Sequence, residues 1–282
     1  MKYISFTHNG KSSYGVLLDD RIVDLGAYFG DRAPDLKALI ASGRLEQAVH
    51  VAASQPTTLA LADVSLLPVI PNPGQIVCVG LNYADHVQET GRVITESPTL
   101  FLRVPQSQVG HGQAIVLPPE STRLDYEGEI AVIIGKGGRR ISEADAWSHI
   151  AGYACYNDGS IRDWQSATSQ FTPGKNFWRT GGFGPWMVPA SEIAPGRTMT
   201  LVTRLNGVEL QRATTDMMLH SIPRQIAYIS TFTPLEPGDV IVTGTPGGVG
   251  AKRSPPVFMK AGDVVEVEVD AIGTLSNHVE DE

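Results

Sequence analysis

Leu124-Asp125-Tyr126-Glu127-Gly128-Glu129-Ile130 places two carboxylates, Glu127 and Glu129, one residue apart at the mouth of an apolar run. The run continues as Ile130-Ala131-Val132-Ile133-Ile134, without a polar side chain. Side chains alternate along a strand, so Glu127 and Glu129 point to one face. Past them both faces are apolar, which predicts a strand covered on both sides. Unpaired charges buried there would cost several kcal/mol each, roughly. The pair must therefore lie at a solvated strand end, carry protons, pair with cations or hold a metal. A second apolar segment, Gly152-Tyr153-Ala154-Cys155-Tyr156-Asn157, ends in Asp158. Three strand-end carboxylates suit a hard divalent ion such as Mg²⁺ or Mn²⁺ and leave half an octahedron for substrate and water. Spacing alone leaves open the plainer reading, a solvated strand end and an unrelated turn aspartate.

Outward from this stretch, residues 71–282 read as strand-rich and heavily punctuated by Gly and Pro. Strands are expected at Ile76–Gly80, Thr99–Leu102, Ile115–Leu117, Glu129–Ile134, Gly152–Asn157, Thr198–Leu205, Val240–Thr243 and Asp263–Val269. Helical patterns are fewer: Tyr83–Glu89, Glu143–His149 and Ile222–Ser230. This is not a regular βαβ alternation, and the fold class it predicts is α+β, mostly β. Residues 1–70 read as a smaller unit. Short strands at Tyr3–Thr7, Tyr14–Leu18 and Arg21–Leu25 are joined by Asn9-Gly10 and Asp19-Asp20 turns. Two helical stretches follow, split at Gly43. Pro68, Pro71 and Pro73 mark the boundary.

Composition excludes some classes. The 282 residues are 42% hydrophobic and 18% charged, a mixture able to bury a core. Net charge is −8 with no basic stripe, which argues against nucleic acid. No apolar run approaches the roughly 18 residues that span a bilayer, and residues 1–8 lack the apolar core of a signal peptide. Cys78 and Cys155 read as buried free thiols, which fits a reducing cytoplasm.

Common motifs fail on inspection. Gly135-Lys136-Gly137-Gly138 lacks the third glycine of a dinucleotide loop. In the stretch Gly244–Lys252, Ala251 occupies the glycine position that a phosphate loop requires. There is no nucleophile elbow and no zinc helix. Two other constellations stand out. If residues 83–89 are helical, His86 and Glu89 lie at i and i+3, and a carboxylate beside an imidazole orients a general base. The glycine before them makes this helix a candidate lid. Arg162 and Gln165 share a helical face just after Asp158, and Lys175 completes a cationic wall for an anionic substrate.

Taken in order, Asn82–Glu89, Asp125–Glu129, Asn157-Asp158, Arg162–Gln165, Gly174–Phe177, Gly184–Trp186 and Thr243–Gly248 resemble the fumarylacetoacetate hydrolase family, over roughly residues 72–282. The resemblance implies a mixed β-roll catalytic domain with a small N-terminal domain, and a homodimer. It also implies Mg²⁺ or Mn²⁺ on Glu127, Glu129 and Asp158. Lys175 matches the family's active-site lysine and Thr245 its substrate-contacting threonine. Arg162 and Gln165 match the substrate-facing pair, and His86 and Glu89 the lid dyad of acylpyruvase-like members. Gly159-Ser160-Ile161 and Arg103 depart from the usual pattern and bear on substrate details. The activity implied is hydrolysis of a carbon–carbon bond in a 2,4-dioxo acid, such as an acylpyruvate, fumarylpyruvate or a diketo sugar acid, with a pyruvate enolate held by the metal. Decarboxylation, isomerisation or hydration on the same site is the near alternative. A noncatalytic sugar-acid or metal-binding protein is the distant one.

Overall fold

A computed structural model describes residues 1–282. The strand that opens at Gly128 runs to Ile134 with all seven residues buried. It pairs antiparallel with Ile150–Asn157 on one side and with Val240–Val242 on the other. Alternation sends its side chains into two different cores. Ala131 and Ile133 join a cluster with the helices Leu25–Phe29, Leu36–Ala41 and Leu45–Ser54. Ile130, Val132 and Ile134 join another, with helix Ile222–Phe232 and a second sheet. The apolar run is thus the shared wall between two layers, and this is why it carries no polar side chain. Mostly β with helices on one sheet face, the architecture is the α+β class expected.

The main sheet has twelve strands. Its central path runs Lys2–His8, Gly181–Pro189, Ile150–Asn157, Gly128–Ile134, Val240–Val242, Ile76–Gly80 and Thr99–Arg103. The second sheet orders Val208–Thr214, Thr200–Leu205, Val264–Val269, Gly273–Asp281 and Ile115–Leu117. Where the sheets cross, Gly128 has no alternative: a Cβ there would lie 1.9 Å from Thr203 Oγ1. The glycine between the two glutamates is the contact point that lets the second sheet close over the strand.

The first 70 residues form five strands at the main sheet's far end, the last two of only two residues each, and the helices beneath it. Asn9 and Gly10 both take positive φ in the first hairpin turn. Strand Lys2–His8 joins the rest through Tyr3 opposite Met187. Tyr3, Tyr14, Leu36, Leu39 and Ile70 share one cluster with Ile76, Ile133, Tyr156 and Phe183, so a common core crosses the expected boundary.

Some expectations are revised. The strand expected at Arg21–Leu25 ends at Asp24, whose side chain accepts from Ala27 N at 2.9 Å and caps a helix. The helix expected at Glu143–His149 shrinks to a 3₁₀ turn, Ala146–His149. Ser142 and Asp145 bond to each other there and compete with the helical ladder. Strand Gly181–Pro189 escapes sequence reading because three glycines and two prolines disguise it.

Candidate active site and cation centre

The three acids meet because two strand ends are tied together. The Asp158 amide donates to the Glu127 carbonyl at 2.8 Å. The Glu127 amide in turn donates to Asn157 Oδ1 at 3.0 Å. Carboxylate oxygens of Glu127, Glu129 and Asp158 then fall within 4.8 Å of one another, all buried.

Their electrostatics are unequal. Lys175 Nζ donates to Glu127 Oε2 at 2.5 Å and to Asp158 Oδ2 at 2.6 Å. Arg103 Nη1 reaches Asp158 Oδ1 at 2.5 Å, and Arg162 Nη2 lies 2.7 Å from Glu127 Oε1. Burial opposes the Glu127 charge, but Arg162 and then Lys175 outweigh it and hold the carboxyl far below its ordinary range. Burial likewise opposes the Lys175 charge, and Asp158 and Glu127 more than compensate, so its ammonium is held above its ordinary range. Glu129 has no cation within ion-pair distance; its one polar partner is the Gly244 amide. Burial, with Asp158 and Glu127 adding repulsion, pushes its carboxyl well above the usual range. A buried carboxylate without a cation, beside two more, is the donor set that a hard divalent ion completes. The residues fit Mg²⁺ and Mn²⁺ alike.

Glu127, Glu129, Lys175, Arg162, Gln165, His86 and Thr245 line one cavity of about 420 Å³. Asp158 lies behind its wall, and Glu89 stands behind His86. His86 and Glu89 do share a helix, Ala84–Thr90, with Nδ1 to Oε1 at 2.7 Å. The other Glu89 oxygen accepts from Gly248 N at 2.9 Å, so this helix is fastened to the glycine-rich loop. Burial opposes the Glu89 charge, yet the bonds from His86 and Gly248 lower its carboxyl below the ordinary range. Its negative end therefore persists beside the imidazole. Arg162 Nη1 donates to Gln165 Oε1 at 2.8 Å within one short helix. Thr245 donates its hydroxyl to the Gly128 carbonyl at 3.0 Å and accepts from Gln211 Nε2 at 2.8 Å. It offers a substrate a lone pair but no free proton.

Asp125 was missed as a site residue. It is fully buried and accepts from Arg162 Nε at 2.7 Å, Gly250 N at 2.8 Å and Ala251 N at 2.9 Å. Its signal was present: Asp125, Glu127 and Glu129 continue one alternation. Arg103 was noted only as a departure from the family pattern and not as a partner of Asp158, since an arginine on an edge strand is ordinarily solvated. Here it is 3% exposed and also donates to Ser107 Oγ and Thr180 Oγ1.

This fold and buried acidic triad accompany a direct sequence match. The family profile "Fumarylacetoacetate (FAA) hydrolase C-terminal" covers residues 75–280. The chain belongs to the fumarylacetoacetate hydrolase family. Among its relatives, the mitochondrial oxaloacetate tautomerase fahd2 of Xenopus laevis is 37% identical over 99% of this chain and 90% of the relative. Oxaloacetate tautomerase YisK of Bacillus subtilis is 43% identical over 78% of this chain and 74% of the relative. Among solved structures, maleylpyruvate hydrolase from Sphingobium sp. SYK-6, in complex with manganese (II) ion and pyruvate, superposes with a TM-score of 0.83 at 29% identity. That match covers 100% of this chain and 99% of the other. No helix of this chain is long and apolar enough to cross a membrane.

Proposed function

We propose that the chain is a divalent-cation-dependent enzyme that moves a proton at the carbon beside the keto group of a 2-oxo acid, with keto–enol interconversion of oxaloacetate as its leading reaction. One observation carries this reading. His86, backed by Glu89, faces the same cavity as the carboxylates Glu127 and Glu129, with Lys175 and Arg162 beside them. With Nδ1 donating to Glu89, Nε2 is the ring nitrogen free to accept a proton. Glu89 stabilises the positive charge that His86 then acquires, and His86 can return the proton to carbon or oxygen. Lys175 and Arg162 attract the substrate carboxylate and orient the carbon to be deprotonated toward the imidazole. Thr245 has only an acceptor to give and so suits an enol hydroxyl. A divalent cation on Glu127, Glu129 and Asp158 would supply Lewis-acid polarisation of the 2-oxo oxygen.

The tautomerase relatives weigh against the hydrolase first expected, but hydrolysis stays a second reading because the two share their machinery. In hydrolysis His86 would take its proton from a water that attacks the distant carbonyl of an acylpyruvate. The cavity favours it: its volume and its Phe101, Phe171 and Phe258 walls accommodate more than four carbons. A homodimer in a reducing cytoplasm is part of the proposal. The test is a panel of 2-oxo and 2,4-dioxo acids with Mg²⁺, with Mn²⁺ and with chelator, the acylpyruvate arm run in ¹⁸O-water. Cation-dependent loss of the oxaloacetate enol supports the first reading. Label in an acid released from the acyl side supports the second. Full activity under excess chelator would refute both.

A further inference from the structure

Gln211 does not line the cavity, yet it is only 2% exposed and its whole amide is engaged just behind the site. Its Oε1 accepts at 3.0 Å from the amide of Gly128, the residue between the two glutamates. Its Nε2 donates to Thr245 Oγ1 at 2.8 Å and to the Pro246 carbonyl at 2.9 Å. The side chain comes from strand Val208–Thr214 at the border of the second sheet. There Thr203 pairs with Gln211 but Arg204 with Glu209, so Leu210 is an extra residue. Such a bulge re-aims the side chains beside it. Here Gln211 is buried, while Glu209 and Arg212 are exposed.

The proton positions in this chain of bonds follow from its ends. A backbone amide can only donate, and a carbonyl can only accept. Gly128 N therefore fixes one end of the Gln211 amide as oxygen, and the Pro246 carbonyl fixes the other as nitrogen. Thr245 Oγ1 then receives a proton from Gln211, and its own proton goes to the Gly128 carbonyl at 3.0 Å. A hydroxyl has one proton and two lone pairs. Thr245 lines the cavity with the single lone pair that remains.

Building on the proposed function, we propose that Gln211 is a positioning residue that sets the polarity of Thr245, and that through it the site prefers the enol of its substrate to the keto form. An enol hydroxyl donates to the remaining lone pair. A keto oxygen meets it as a second acceptor and gains no bond. Gln211 acts only through Thr245, since its own amide has no proton left for a ligand.

Calorimetry of the Mg²⁺-loaded protein with pyruvate and with each enantiomer of lactate tests this without turnover. The acids differ at the second carbon, which carries a keto oxygen in pyruvate and a hydroxyl in lactate. The quantity read is the affinity for the tighter-binding lactate divided by that for pyruvate, compared between variants. Gln211→Met frees the Thr245 hydroxyl to donate to a keto oxygen. The ratio should fall by about tenfold, the worth of one hydrogen bond. Thr245→Val should lower it similarly, and Gln211→Met should add nothing in the Thr245→Val background. Gln211→Glu has the same shape, keeps an acceptor for Gly128 N and has at most one proton for two acceptors. It should move the ratio in the same direction, and it serves if Gln211→Met does not fold. An unchanged ratio in either folded Gln211 variant overturns the inference. So does an equal change with and without the Thr245 hydroxyl, the result of a merely structural role. A wild-type ratio in Thr245→Val overturns it whatever becomes of the Gln211 variants. If neither acid binds the wild type, the proposed function falls, and this inference with it.

Discussion

Glu129 is the residue on which the cation argument turns, because burial and two neighbouring acids disfavour its charge, Lys175 offsets them only in part, and no cation lies within ion-pair distance. Its folded-state carboxyl is raised above its unfolded value. A raised group contributes stability that is fully present below the unfolded value and is lost as pH rises through the folded one. A bound cation requires the charged form and removes that loss. The thermal shift produced by Mg²⁺ over chelator should therefore grow from about pH 5 to about pH 8. A shift that stays constant or shrinks, read by calorimetry, would count against Glu129 as a ligand. Lys175→Met leaves Glu127 and Asp158 short of a positive neighbour. Without added cation it should destabilise the fold by about 3–5 kcal/mol, and Mg²⁺ should recover part of this; urea melts with and without the ion would show it. His86→Ala should lower turnover by about 10²–10⁴-fold, the usual worth of a general base, with cation affinity unchanged. Wild-type turnover in that variant would remove His86 from the chemistry.

At the scale of elements, the site is assembled by ties between segment ends. Asp125 joins Arg162 to the turn Gly250–Lys252, and Glu89 joins helix Ala84–Thr90 to the glycine-rich loop. Asp125→Asn should preserve the fold and raise KM several-fold with a smaller effect on kcat, since it loosens Arg162 and leaves His86 in place. A fall in kcat at unchanged KM would contradict that positioning role. The elements also show what the sequence could and could not reveal. Strand Gly128–Ile134 was legible because burial on both faces demands an unbroken apolar run, and the run is local. Helix Ala84–Thr90 and its dyad were legible from i, i+3 spacing. Strand Gly181–Pro189 was not, because its glycines answer distant neighbours: a Cβ at Gly182 would lie 2.6 Å from Asn277 Oδ1. Nor was the partnership of Arg103 with Asp158, 55 residues apart, for which no periodicity exists.

For the whole molecule, the core beneath the main sheet is shared between residues 1–70 and the rest. Expressed alone, residues 71–282 would expose the apolar side chains of Ile76, Ala131, Ile133, Phe183 and Val240. Such a fragment should aggregate or lose cooperative melting; a soluble fragment with a wild-type melting profile would show that the core divides. Acid should also unfold the intact chain. Burial lowers His111 and, with Arg224, His220, so their neutral forms contribute stability above the ordinary imidazole range that is lost as pH falls through their folded values. These local balances all serve one arrangement, a cation-ready carboxylate triad facing a positioned base. The most direct measurement of that arrangement is proton exchange at C3 of oxaloacetate in deuterated water, followed by NMR beyond the spontaneous rate. The account predicts enzyme-accelerated exchange with Mg²⁺ or Mn²⁺, and its loss with excess chelator or in His86→Ala. Acceleration that survives both would contradict it.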